Sequence, residues 1–365
     1  VPTVVIGDAT VNPDQIDTSG TFVAFASPTF TVEPSLLPSP DGGSAPLQPT
    51  RFTFGTGSVG TSAIAFENPN GGFTTADGQP QGSGALAYDI GAGGGAFFYS
   101  NGLNINGTYL TTSPSSDVGW PGDKQITELE WSPNGRYLAF VIRGFDSAEV
   151  DYGVWVYDAQ FGVAHQIMRN DFDYRVARHV SWSPNSTVVL ITLDHPNGPS
   201  HTFLPAEHDV HVAYDQEEFS DATWSLNSGS IVVSGMHHDG SRRLGYVLLD
   251  ANHTYVPILN LPTPEIGFAR AATEGNNGQI LFLGGPSQTG PFQLYQIYPG
   301  GAPQVLRGDV SISGNIVSWE WNDSRTSLLV VINTGNGRQA WQVDANGQMG
   351  NITPPGGITG EVRWQ

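Results

Sequence analysis

The sequence has 365 residues, 46 of them glycine and 26 proline, and only 13% are charged, about half the share of an average soluble domain. Acidic residues outnumber basic ones 34 to 14, for a net charge of -20; such a chain is repelled at long range by nucleic acid and by anionic membrane surfaces, which excludes nucleic-acid binding. No uninterrupted apolar run reaches the ~18 residues of a membrane-spanning helix, so membrane insertion is not expected, and the absence of cysteine excludes disulfides, thiolate metal sites and cysteine nucleophiles.

Residues 1–80 carry short apolar runs at 3–6, 21–26, 51–54 and 62–66, separated by a Pro- and Ser-rich stretch at 34–49. Alone, such a segment buries too little to offset its ordering entropy. It reads as an irregular, strand-bearing N-terminal extension that packs on its own body or adds a strand to a neighbouring copy. The first residue is Val1, which is read as removal of a leader, and Lys124 is the single lysine among many Gly, Thr, Ser, Asn and Gln. Together these predict an extracytoplasmic protein, secreted, at the cell surface or in the periplasm.

From residue 131 onward a repeat appears. The segment Trp131-Ser132-Pro133-Asn134-Gly135 and the apolar run after it align without gaps with segments starting at Trp182, Trp224 and Trp321. A degenerate copy places Glu274 at the Trp position, and a sixth start falls at Trp364. Each copy reads as a strand end, a tight turn and a returning strand: Pro presets the turn, Asn and Gly tolerate left-handed backbone, and β-branched and aromatic residues follow. The starts are 42 to 51 residues apart, the period of a four-stranded propeller blade. Later strands are legible at 153–158, 165–168, 245–250, 294–298 and 340–344. The sixth unit has only its first strand at the C-terminus, and the runs at 85–90, 96–100 and 107–110 are available to complete it. The expectation is an all-β, six-bladed β-propeller of four-stranded blades over residues 81–365, closed by joining these N-terminal strands to the C-terminal strand, with residues 1–80 as the extension.

The run Ile126 to Phe140, followed by Val154-Trp155-Val156-Tyr157-Asp158, resembles the repeat of TolB-type β-propellers, which are WD40-like in architecture. That repeat has a Trp-Ser-Pro-Asp-Gly turn, an apolar strand and a strand ending in Tyr-x-x-Asp. The resemblance covers about three quarters of the chain. Asn134, Asn185 and Asn227 depart from the consensus Asp, and Leu226 and Asn322 stand where Pro would be.

Three residues before each start lie Glu128, His179, Asp221, Ala271, Ser318 and Glu361. The first strand of a blade is innermost, so Glu128, His179, Asp221 and Glu361 form a candidate channel ring that could hold Ca2+ or a cationic ligand; no cofactor is otherwise required. The bland reading is a solvated channel wall. A second polar group, His201, Glu207, His208, Asp209, His211, Asp215, Glu217 and Glu218, lacks zincin spacing and reads as an acidic loop. The Gly-rich 91–95 stretch lacks a phosphate-loop Lys-Ser/Thr and reads as a tight blade connection. No catalytic residues are assigned. There is no G-x-S-x-G nucleophile elbow, and the chain's end after the sixth start is read as leaving no room for the hydrolase domain that TolB-type propellers carry in prolyl-oligopeptidase-like enzymes. The expected function is therefore a non-enzymatic structural or protein-interaction module, self-assembling into a surface assembly or filament through residues 1–80. A ligand- or cation-binding sensor is the alternative, and a propeller-scaffold hydrolase or lyase ranks last.

Overall fold

The computed structural model describes residues 64–364, apart from 68–72, 76–79, 82–84, 100–101, 112–125, 144–151, 171–175, 195–198, 208–210, 213–218, 250–252 and 359–361 and the single residues 86, 107 and 238. The chain divides into two units, Val1–Thr50 and Arg51–Gln365, and all described residues belong to the second. The expected runs at 3–6, 21–26 and 51–54 lie outside them.

The described residues form strands only, arranged in seven sheets. In chain order the strands begin with β1 (Ile64–Glu67), β2 (Phe73–Thr75) and β3 (Pro80–Gln81). A four-stranded sheet follows, of β4 (Ala87–Gly91), β5 (Gly94–Tyr99), β6 (Gly102–Ile105) and β7 (Thr108–Thr111). Next come β8 (Ile126–Trp131), β9 (Tyr137–Ile142), β10 (Gly153–Asp158) and β11 (Val163–Arg169), then β12 (Val176–Trp182), β13 (Val188–Asp194) and β14 (Ser200–Pro205), and the short β15 (His211–Val212). The fifth sheet holds β16 (Asp221–Trp224), β17 (Ser230–Met236), β18 (Arg242–Leu248) and β19 (Tyr255–Asn260). The sixth holds β20 (Phe268–Glu274), β21 (Ile280–Gly285), β22 (Gln293–Ile297) and β23 (Gln304–Val305), and the seventh β24 (Asn315–Trp321), β25 (Ser327–Thr334), β26 (Gly337–Asp344) and β27 (Met349–Asn351). Last is β28 (Val362–Trp364), which returns to pair with β1.

Two expectations are corrected here. Seven sheets are present rather than six, and the C-terminal strand closes on β1, in the register Ile64↔Trp364, Ala65↔Arg363 and Phe66↔Val362, not on the strand at 85–90. The reason is an unforeseen strand, β6. With Leu103 and Ile105 buried, it completes a four-stranded sheet from β4 to β7, which leaves no vacancy for β28. The fourth sheet has three strands, and β15 instead pairs parallel to β11 of the third.

Strands buried on both faces read as continuous apolar runs, and β9 is the clearest case, with all six residues buried. Alternation sends its side chains to opposite neighbours: Leu138, Phe140 and Ile142 join the core against the second sheet, while Tyr137, Ala139 and Val141 join the core against the fourth. Six such clusters each lie between consecutive sheets, and one of them brings β28 and β1 against β25 and β26 of the seventh sheet.

The repeat turn has one conformation throughout. The fourth residue after each start, Gly135, Ser186, Ser228, Gly278 or Arg325, has positive φ, between 55° and 74°. The left-handed residue is thus one later than the Asn. The Asn supplies its side chain instead: Oδ1 of Asn134, Asn185 and Asn227 accepts from backbone N–H groups two residues on, and from the hydroxyls of Ser132, Ser183 and Ser225. Ser186 and Ser228 also donate structure sideways, because their Oγ atoms accept from the N–H of Asn134 and Asn185 in the preceding turn, at 3.0 and 3.1 Å.

Start-position tryptophans tie neighbouring sheets together. Trp182 Nε1 donates to the Glu130 carbonyl, Trp224 to Ser181, Trp321 to Ala271 and Trp364 to Glu320, at 2.8 to 3.2 Å. Trp131 meets the Gly-rich stretch: a Cβ on Gly93 would come 2.2 Å from its ring. The 91–95 stretch is the β4–β5 connection that admits this ring, as expected of a tight blade turn. Where Glu274 replaces Trp, its carboxylate accepts from the Leu226 N–H, and Arg325 reaches across to Thr273 and the Trp224 carbonyl.

Candidate functional site

The innermost strands share a recurring irregularity. The pairing register shifts between Ile126 and Glu128, between Ala177 and His179, and between Ile316 and Ser318. A bulge re-aims the side chain that follows it, and here that side chain is the one three residues before each start. In β20 the shift falls between Arg270 and Thr273, where Ala271 has φ 52°.

Glu128, buried to 4% exposure, is gripped from two sides. Its Oε1 lies 2.5 Å from His179 Nδ1 on β12, and its Oε2 accepts from Arg363 Nη2 on β28 at 2.8 Å. Burial alone would raise the carboxyl pKa, but the charges of Arg363 and His179 and their hydrogen bonds outweigh it and hold the group at about 2. Conversely, burial works against a charged His179, yet Glu128 and Glu130 raise it to about 9. Half of the His179 side-chain surface is accessible, so this side chain is not sealed into the core.

The carboxyl group of Glu130, two residues along β8, has no hydrogen-bond partner among the described residues, although its carbonyl accepts from Trp182. Burial, helped by Asp89, Glu128 and Glu320, pushes its pKa well above the ordinary value, against the opposing His179. Burial likewise raises Glu320 of β24 to about 7, although Arg363 and the Trp364 N–H, which donates to its Oε2 at 3.2 Å, pull it down. Asp89 of β4 accepts from the Trp131 N–H at 2.5 Å. Glu128 and Glu320 thus interact with both cations, Glu130 with the imidazole, and Asp89 lies near Glu130 and Glu320.

Asp221 forms a second centre. It receives Arg270 Nε and Nη2 at 2.6 and 3.0 Å, the Ala271 N–H at 2.9 Å and Trp319 Nε1 at 2.9 Å. Burial raises its pKa, but these donors and the Arg270 charge lower it overall.

Of the four expected ring residues, Glu128 and His179 are brought together, Asp221 is engaged elsewhere with Arg270 and Trp319, and Glu361 lies outside the described residues. Glu130, Glu320, Asp89, Arg270 and Arg363 were not foreseen. Glu130, Glu320 and Arg363 share one register, a residue before the start, and aligning that column would have found them. Donor atoms of Glu128, Glu130 and His179 lie within 4.8 Å of one another. One nitrogen and two carboxylates suit a borderline divalent ion better than Ca2+, which takes six to eight oxygens; in this arrangement Arg363 and the imidazolium already neutralise Glu128. In the expected loop cluster, His201 is buried with Nε2 on the Phe219 carbonyl and is held at about 4 by burial. Glu207 accepts from Tyr137 Oη at 2.6 Å and pairs with Arg136. Residues 208, 209, 215, 217 and 218, and the side chain of His211, lie outside the described residues.

No protein-family model matches the chain. A 91-residue stretch, 24% of this chain, is 32% identical to the uncharacterized peptidase YuxL of Bacillus subtilis and spans 13% of that protein. Among solved structures, puromycin hydrolase superposes with a TM-score of 0.50 at 16% identity, over 81% of this chain and 53% of the hydrolase. TolB from Acinetobacter baumannii superposes with a TM-score of 0.47 at 13% identity, over 84% of this chain and 67% of TolB. The matched parts thus span about an eighth of YuxL and half of the hydrolase. The superposition on the hydrolase, together with the row of small antiparallel sheets and their repeated turn, shows an all-β, propeller-like repeat fold. The expectation of a non-enzymatic structural module is corrected by these comparisons, since the curated relative is named a peptidase and a hydrolase shares the fold.

Proposed function

We propose that the chain acts in peptide hydrolysis, as the β-propeller part of a peptidase that receives the peptide at its inner strands. The observation that carries this reading is the 32% identity to a protein named as a peptidase. The inner-strand cluster supports it: carboxyl groups outnumber cations there, and the Glu130 carboxyl, which no described donor bonds, is raised well above the ordinary carboxyl value. An incoming ammonium or guanidinium group would let Glu130 ionise, so the favoured peptide carries a basic group at the end that enters. The acyl chemistry is assigned to none of these residues. A location outside the cytoplasm belongs to the same proposal and accords with the single lysine and the Gly-, Ser- and Thr-rich composition.

The test is incubation of the full chain with a defined peptide mixture followed by mass spectrometry, alongside titration calorimetry of Lys- or Arg-bearing peptides against neutral controls. Support is cleavage, or binding of basic peptides at least about 10-fold tighter than of neutral ones, a difference of ~1.4 kcal/mol, which Glu130→Gln diminishes. Neither cleavage nor preferential binding would overturn the proposal.

A further inference from the structure

We propose that Glu128, Glu130 and His179 form a binding site for one divalent transition-metal ion of the Zn2+ kind, held by three protein donors and completed by solvent. Their ligating atoms, one imidazole nitrogen and two carboxylate oxygens, all lie within 4.8 Å of one another. Donors bound to a tetrahedral zinc ion stand roughly 3.3 Å apart, since each bond is about 2.0–2.1 Å long. The separation of 2.5 Å between His179 Nδ1 and Glu128 Oε1 and the 4.8 Å limit on the set bracket that spacing, so side-chain torsions suffice to seat the ion.

The backbone brings these donors together. Glu128 and Glu130 are two residues apart on β8, paired regularly with Val141 and Ala139 of β9, so both side chains leave the same face of the strand. On β12 the register shift between Ala177 and His179 re-aims the imidazole, and its Nδ1 meets the Glu128 carboxylate. A ligating carboxylate is itself held by outer hydrogen bonds. Arg363, on β28 at its seam with β1, donates to Glu128 Oε2 at 2.8 Å and leaves Oε1 for the ion. Glu130 is fixed through its carbonyl by the Trp182 indole at 2.9 Å, while no described donor claims its carboxyl. Glu128 is nearly sealed and the His179 side chain is half accessible, so the ion enters from the His179 side and keeps water in its remaining positions.

The donor set selects the ion. An imidazole favours a borderline ion over Ca2+ or Mg2+, which take oxygen. The chain has no cysteine, so no thiolate competes. On binding, the proton that His179 Nδ1 shares with Glu128 passes to solvent, the nitrogen lone pair goes to the metal, and Glu128 exchanges a hydrogen bond for a metal bond. Two positive charges then stand beside Glu128 and Glu130 in place of one, with Asp89 and Glu320 near Glu130. That is favourable where carboxyl groups outnumber cations. The ion and the basic group of a peptide would claim the same Glu130 carboxyl and exclude one another; the metal site stands whether or not the chain acts on peptides.

Calorimetric titration of ZnCl2 into the full chain, stripped with EDTA, dialysed and free of peptide, tests the site. One ion per chain is expected, bound at least ~10-fold more weakly by Glu130→Gln and by His179→Gln, and within about 3-fold of the unmodified affinity by Glu207→Gln, whose native carboxylate pairs with Arg136 instead. Co2+ in place of Zn2+ should give the visible absorption of a four-coordinate site, diminished in the first two variants. Absence of Zn2+ binding by the unmodified chain overturns the proposal however the variants fold. An ion whose affinity neither Glu130→Gln nor His179→Gln changes, or that Glu207→Gln releases equally, lies elsewhere and overturns it too.

Discussion

Glu128 and Glu130 sit two residues apart on one strand and meet opposite electrostatic fates. Glu128 is charged, buried and held by two cations, so Glu128→Gln leaves His179 and Arg363 without their counter-ion. The expected loss is about 3 kcal/mol at pH 7, measured from urea unfolding midpoints. Burial and neighbouring carboxyl groups resist the charge of Glu130 and raise its pKa, so Glu130→Gln should raise stability more at pH 8 than at pH 4, below the ordinary value of 4.5. Equal effects of the two substitutions would contradict the charge assignment. The polar column containing Glu128, His179 and Asp221 was legible because the repeat could be aligned on its Trp. The partners were harder to see. Arg363 and Glu128 meet because β28 returns to pair with β1, and no local pattern announces a contact between residues at opposite ends of the repeat array.

At the scale of strands and turns, each start-position Trp combines burial with one hydrogen bond to the sheet before it. Trp182→Phe keeps most of the apolar surface and orphans the Glu130 carbonyl. It should cost about 1–3 kcal/mol, read by chemical denaturation, and a cost near zero would mean that packing alone joins the sheets. Turns carrying the Trp-Ser-Pro-Asn-Gly signature were readable because their backbone demands particular residues: Gly135 occupies left-handed space directly, and Asn134 satisfies the N–H groups the turn leaves open. The first two sheets lack that signature. The hairpins of the second sheet use Gly94 and Asn106 at positive φ, and strands as short as β3 or β6 have too few residues to display an alternation. Hence the blade count and the seam partner escaped the sequence, while the repeated middle did not.

For the whole molecule, the dominant long-range term is the charge of -20. Self-repulsion of that size is screened within about 10 Å at 0.1 M salt. Melting temperature should therefore rise with added NaCl at pH 8, and rise less at pH 5, where carboxyl groups raised by burial, such as Glu320 at about 7, carry protons and reduce the excess. Calorimetric scans at low and high salt at both pH values check this; a salt response that is larger at pH 5 would place the strain elsewhere.

The seam also sets an order of events. β1 is made among the first described strands and β28 last, so until residues 362–364 have emerged from the ribosome the first sheet keeps an open inner edge and Glu128 waits for its distant guanidinium. Contacts of such sequence separation are slow to form because a long loop must close before they are rewarded. Completion of the first sheet consequently follows synthesis of the other described strands, and the nascent sheet edge of β1 is the surface that a folding helper, or a misdirected strand from another chain, would meet first.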